Sequence, residues 1–63
     1  MDEYQIRLRD MGLRQFIEEQ DIVEKKVKHY RVLAGFGLCE NNLVYWSRLL
    51  KMNRHEMNRR YSG

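Results

Sequence analysis

Proline is missing from this chain of 63 residues, cysteine and tryptophan occur once each, and glycine occurs four times. Without proline the strongest helix breaker never interrupts the chain. Without clustered turn residues the short strands of an all-β protein have no punctuation. A single cysteine, Cys39, excludes an internal disulfide framework, and His29 and His55 lie too far apart in sequence to complete a zinc set with it, so no metal or other cofactor is expected. No apolar run approaches the roughly 18 residues that cross a bilayer. The opening MDEYQIRLRD is charged throughout, where a signal peptide would carry an apolar core. These absences predict a cytoplasmic protein in a reducing compartment, with no membrane partner.

What is present is a 43% hydrophobic composition, enough for one small domain. At this length folding buries only about 60% of the unfolded surface, so a partner or a second copy would add stability. The net charge of +3 is unevenly spread: residues 1 to 26 hold seven acids against five bases, and residues 48 to 63 hold five bases against the single acid Glu56.

Apolar positions Leu13, Phe16, Ile17, Val23, Val27, Tyr30, Leu33 and Ala34 recur at helical spacing, apart from a polar gap at Glu18 to Asp21, whose alternative reading is a break with a short helix ending near Gln20. A second stripe runs Leu43, Trp46, Leu50 and Met57, with Leu49 beside it. Between them, AGFGL offers Gly35 or Gly37 as a helix C-cap, and Glu40, Asn41 and Asn42 offer N-capping side chains for the next helix. The expected fold is all-α: an antiparallel helical hairpin in one domain, with helix over 13 to 34, turn over 35 to 39 and helix over 40 to 59. Residues 1 to 12 read as a helical or frayed extension, although Tyr4, Ile6 and Leu8 alternate with polar residues as in a strand. A lone strand could pair only with another chain. Folded back around Gly37, the acids Glu18, Glu19, Asp21 and Glu24 would lie beside Lys51, Arg54 and Arg59, a zipper of exposed pairs worth about 0 to 1 kcal/mol each.

No catalytic constellation stands out. Ser47 lacks a Gly-x-Ser-x-Gly setting, Arg54-His55-Glu56 does not make an H-E-x-x-H motif, and no phosphate-cradling glycine loop or small-molecule site is evident. The chain reads as a binder rather than an enzyme, with no catalytic residue assigned. Two apolar stripes with Phe16, Tyr30, Phe36, Tyr45 and Trp46 exceed what a lone hairpin can cover, which favours a protein partner or pairing of two hairpins as a four-helix bundle. Tyr45 and Trp46 are about 100° apart on a helix, so one is free for a partner.

The competing reading is a nucleic-acid binder. With Gly37 as the turn glycine of a helix-turn-helix over residues 39 to 54, Val32, Phe36, Leu38, Leu43 and Trp46 take its core positions. Asn41, Asn42, Tyr45 and Arg48 would then face base edges, while Lys51, Arg54, Arg59 and Arg60 would supply phosphate contacts.

A third line is a resemblance. Ile22, Lys25, Lys26, the Gly37-Leu38 corner, then Leu43, Val44 and Trp46, followed by Ser47-Arg48-Leu49-Leu50-Lys51, resemble the small sporulation-associated aspartyl-phosphate phosphatases, whose second helix carries Ser-Gln-Glu-Leu-Asp. Ser47 and Leu50 match that signature, whereas Leu49 and Lys51 replace its two acids. The resemblance covers residues 22 to 51 and implies a helical hairpin, a response-regulator partner and a contact surface at Tyr45, Trp46, Ser47, Arg48 and Lys51. A lysine at position 51 is protonated near neutral pH and does not serve as a base, so a regulator-binding role carries over more readily than catalysis.

Overall fold

The computed structural model describes residues 2 to 62. They form three helices, α1 (Glu3–Asp10), α2 (Leu13–Gly35) and α3 (Glu40–Tyr61), and no strand among the described residues.

Helix α1 is the element with the weakest sequence signal. Asp2 caps it, its carboxylate accepting a hydrogen bond from the Tyr4 N–H at 2.9 Å, and Glu3 places a negative charge in the first turn. The strand-like alternation dissolves once one turn of helix is counted. Tyr4 and Leu8, four residues apart, point inward with Leu8 fully buried, while Ile6 between them is about half exposed.

Helix α2 runs through Glu18 to Asp21 without a break. The polar gap is tolerated because its members have partners: Glu19 accepts from the Tyr4 hydroxyl, Gln20 donates to the Met57 sulfur at 3.9 Å, and Asp21 pairs with Lys25 at 2.9 Å. Its C-terminus is a Schellman motif. The Leu38 N–H donates to the Leu33 carbonyl and the Gly37 N–H to the Ala34 carbonyl, each at 2.9 Å, with Gly37 in the left-handed region at φ 78°. Gly37 therefore stands one place beyond the cap residue, Phe36, and Gly35 is the last helical residue.

The start of α3 differs from expectation. Its cap is Cys39, held at φ 55° and ψ 35°, with no side-chain capping bond. Glu40, Asn41 and Asn42 lie inside the first turn, where they cannot cap.

Val23 and Val27 of α2 pack with Leu49 of α3, flanked by Tyr4, Leu43, Trp46, Leu50 and Met52. Contacts between α2 and α3 extend well beyond the turn, to the Gln20–Met57 hydrogen bond and to Lys26, whose ammonium lies 6.0 Å from the Trp46 ring centroid. Helix α1 packs mainly on α3. The buried positions of α3 are Leu49, Asn53 and Glu56, a seam turned from the purely apolar one through Leu43, Trp46, Leu50 and Met57, which are half-buried. The cause is α1: its polar and backbone groups are answered by Asn53 and, beyond Glu56, by Arg60.

The expected charge zipper between helices is not formed. Every ion pair among the described residues lies within one helix: Arg14–Glu18, Lys25–Asp21, and Glu56 with Arg59 and Arg60. Local pairs three or four residues apart need no tertiary alignment, and they engage Glu18 and Asp21 first.

Candidate functional site

Successive residues on a helix diverge by about 100°, and Tyr45 and Trp46 divide accordingly. Trp46 packs against the Val23–Val27–Leu49 core, whereas Tyr45 is 56% exposed, the two rings meeting edge to face at 5.4 Å. Tyr45 lies toward α1, where it helps line a cleft of about 360 Å³ with Tyr4, Arg7, Arg48, Leu49 and Met52, the first turn of α1 contributing Asp2 and Glu3. A second cleft of about 310 Å³ is lined by Gln5, Arg48, Lys51, Met52 and His55. Arg48 and Met52 border both, so the two form one groove between α1 and α3.

The groove has an apolar floor, an aromatic rim and a basic wall. Arg7, Arg48 and Lys51 are in no ion pair among the described residues. Two carboxylates, Asp2 and Glu3, line its α1 end, Asp2 accepting from the Tyr4 N–H, whereas the stretch lined by Gln5, Arg48, Lys51, Met52 and His55 holds no acid. After Glu40, α3 contains one carboxylate, that of Glu56, and it is buried. Arg59 donates to both of its oxygens, at 2.9 and 2.7 Å, and Arg60 to one, at 2.7 Å. The hydrogen bonds from Arg59, joined by the one from Arg60, outweigh burial and hold the Glu56 carboxyl at about 2. The solvent face of α3 beyond Glu40 is therefore free of carboxylates.

A polar node fixes the two walls of the groove. The side chain of Asn53, fully buried, donates through Nδ2 to the Tyr4 hydroxyl at 3.0 Å and to the Leu49 carbonyl at 2.7 Å. The Tyr4 hydroxyl in turn donates to Glu19 at 2.8 Å, so one residue from each helix meets at a single oxygen. Burial, with the Glu19 carboxylate adding to it against the Asn53 donor, pushes the Tyr4 phenol up to about 12. At the other end of α1, Arg60 Nη2 donates to the carbonyls of Leu8 and Met11, each at 2.7 Å, and its guanidinium lies over the Phe16 ring, 4.6 Å from the centroid.

The structure sorts the residues singled out in the sequence. Tyr45, Arg48 and Lys51 come together in the groove. Trp46 belongs to the core side, and Ser47 is exposed outside the groove's lining. Asn41 and Asn42 are exposed in the first turn of α3. Arg54 lines a separate cleft of about 270 Å³ with Lys28, Arg31 and Leu50, between α2 and α3. Arg60 does not present a free cation for phosphate: its side chain is only 16% exposed and caps α1, and Arg59 is engaged with Glu56. The helix-turn-helix register also places Val32, Phe36 and Leu38 in a core, whereas all three are exposed, Phe36 at 79%. The sequence reading missed Tyr4, Arg7 and Met52 as groove residues and Asn53 as their support. The one available signal was the four-residue spacing of Tyr4 and Leu8.

No three His, Cys, Asp or Glu side chains among the described residues are grouped to hold a metal ion, and no described helix is long and apolar enough to cross a membrane. Comparison with protein-family models, curated proteins and solved structures finds no match.

Proposed function

We propose that the chain is a small regulatory protein-binding module, a helical hairpin of α2 and α3 braced by α1, which receives a segment of a partner protein in the α1–α3 groove. The observation that carries this reading is the groove itself: exposed Tyr45, with Arg48 and Lys51 that are in no ion pair among the described residues, borders apolar Leu49 and Met52. Exposed aromatic and arginine side chains beside an apolar depression are the residue types in which binding energy concentrates. The hairpin is supported by the pairing of Gln20 with Met57 and of Lys26 with Trp46. A response regulator, as the sporulation-phosphatase resemblance implies, fits as partner. A second copy completing a four-helix bundle is the other candidate, separated by measuring the mass in solution.

Selection of a displayed random-peptide library on the immobilised full chain tests the proposal. Ligands enriched on the wild type and lost on Tyr45→Ala support it. Recovery of nothing that distinguishes the two proteins removes it.

A nucleic-acid reading draws on one specific observation, the solvent face of α3 beyond Glu40, which carries Arg48, Lys51 and Arg54 and no carboxylate. Its signature is duplex binding that weakens steeply with salt, through counterion release. Exposure of Val32, Phe36 and Leu38 weighs against its helix-turn-helix form.

A further inference from the structure

Charge and shape of the groove narrow the class of its occupant. Three bases, Arg7, Arg48 and Lys51, line it without an acid paired to any of them among the described residues. The carboxylates of Asp2 and Glu3 line the Tyr4–Arg7 end, whereas the stretch bordered by Gln5, Arg48, Lys51, Met52 and His55 holds no acid. The chain has acids that could have neutralised this wall, but Glu56 faces inward under Arg59 and Arg60, Glu19 is bonded to Tyr4, and Asp21 pairs within α2. Polar interactions within the fold thus hold three carboxylates away from the acid-free stretch of the groove, where Arg48 and Lys51 are exposed. Beside those cations the groove is also lined by Met52 and by the edge of Leu49, apolar atoms that a strand of phosphates would leave uncovered and that an amino-acid side chain would cover.

We infer that the α1–α3 groove takes an acidic peptide segment, one apolar or aromatic side chain of which seats on Leu49 and Met52 beside Tyr45 while its carboxylates meet Arg48 and Lys51. This rests on the protein-binding reading above and adds to it the chemistry of the ligand. Opposed charges steer such a segment to the groove and set its register, and the seated side chain slows its departure.

The test uses the full chain and three fluorescent probes: a peptide of Glu and Asp around a central Phe, the same peptide with Gln and Asn in place of the acids, and a DNA duplex of random sequence. The acidic peptide is expected to bind about tenfold or more tightly than its neutral counterpart, and Arg48→Glu to weaken it about tenfold. Tyr45→Ala weakens both peptides. Arg31→Glu, an equal change of charge in the α2–α3 cleft, leaves binding unaltered. Circular dichroism establishes that each variant is folded, since Tyr45, Arg48 and Arg31 are all exposed.

Equal binding of acidic and neutral peptides, still lost with Tyr45→Ala, overturns the acidic ligand and leaves the protein-binding module standing. Binding of no peptide, or none sensitive to Tyr45, overturns both. Equal losses from Arg31→Glu and Arg48→Glu show attraction to overall charge and overturn the assignment to this groove. Preference for the duplex over the acidic peptide replaces the peptide with nucleic acid.

Discussion

Asn53 donates a hydrogen bond to the hydroxyl of Tyr4 at 3.0 Å, across 49 positions of the chain, and so holds the first helix on the third. The same hydroxyl donates to Glu19, while Asn53 Oδ1 is buried with no hydrogen-bond partner among the described residues. Removing the hydroxyl in Tyr4→Phe deprives Glu19 of its donor and Asn53 of an acceptor. The expected loss is about 1 to 2 kcal/mol, read from urea unfolding midpoints. Asn53→Leu eliminates the unpartnered oxygen but strips the hydroxyl of its donor, so global stability is expected to change by less than about 1 kcal/mol. Amide exchange in α1 then accelerates relative to α2, because buried polar groups of this kind fix register more than they add stability.

Arg60 ties three elements together, through the Leu8 and Met11 carbonyls, the Phe16 ring and Glu56. Arg60→Ala is expected to cost about 3 kcal/mol, the scale of breaking a buried pair and leaving its acid short of a partner. Arg59→Ala is expected to cost less, because Arg59 contacts Glu56 only within one turn of α3 and is more exposed. Equal unfolding midpoints for the two variants would contradict this assignment of roles.

These two residues also mark where the sequence ceased to be legible. Helices α2 and α3 and the glycine corner could be read because each is a local pattern, Gly37 alone suiting φ 78° without strain, but Leu13 and Ile17 of the expected α2 stripe are about half exposed and the α3 seam turns to Leu49, Asn53 and Glu56. Asn53 and Arg60 face inward for a non-local reason, the presence of α1, and α1 has one turn of inward residues, Tyr4 and Leu8, against which alternation competes. Half of the candidate site was visible as Tyr45, Arg48 and Lys51 on α3. The opposite wall, Tyr4 and Arg7, was not, because which helix would lie beside α3 is set by partners 49 and 52 residues away.

The Glu56 carboxyl titrates at about 2 in the fold against an ordinary value of 4.5. A lowered folded value means that its stabilising contribution is complete above the unfolded value and disappears as pH falls through the folded one. Stability should therefore decline from about pH 5 to about pH 2, with on the order of 3 kcal/mol at stake from this group. Glu56→Gln is expected to flatten that limb while lowering stability near neutrality. Unfolding curves across this pH range, for both proteins, check it.

Leu8 and Phe36 make a contrasting pair of apolar positions. Leu8→Ala opens a cavity beside a fully buried site and is expected to cost about 2 to 4 kcal/mol. Phe36→Ala, at a side chain already in solvent, should stay within about 0.5 kcal/mol. Thermal melts of the two variants distinguish them, and a large loss from Phe36→Ala would reveal a partner surface at the turn.

Leu49 sits in the core and Lys51 on the groove, and the proposed resemblance to the sporulation phosphatases sets these two residues where that signature has acids. We expect no phosphate release from a phosphorylated receiver domain. Clear release, abolished by Ser47→Ala or Lys51→Ala, would reverse that expectation.

The contacts that seat α1 carry a consequence for the order of events during synthesis. A helix of eight residues is too short to persist alone, and the groups that hold α1, Asn53 and Arg60, follow their partners by 49 and 52 residues. Of these three helices, the one made before the other two is therefore the one placed last. One wall of the groove waits for the final turns of α3, and a nascent chain in which α2 has already formed has no groove to offer a ligand.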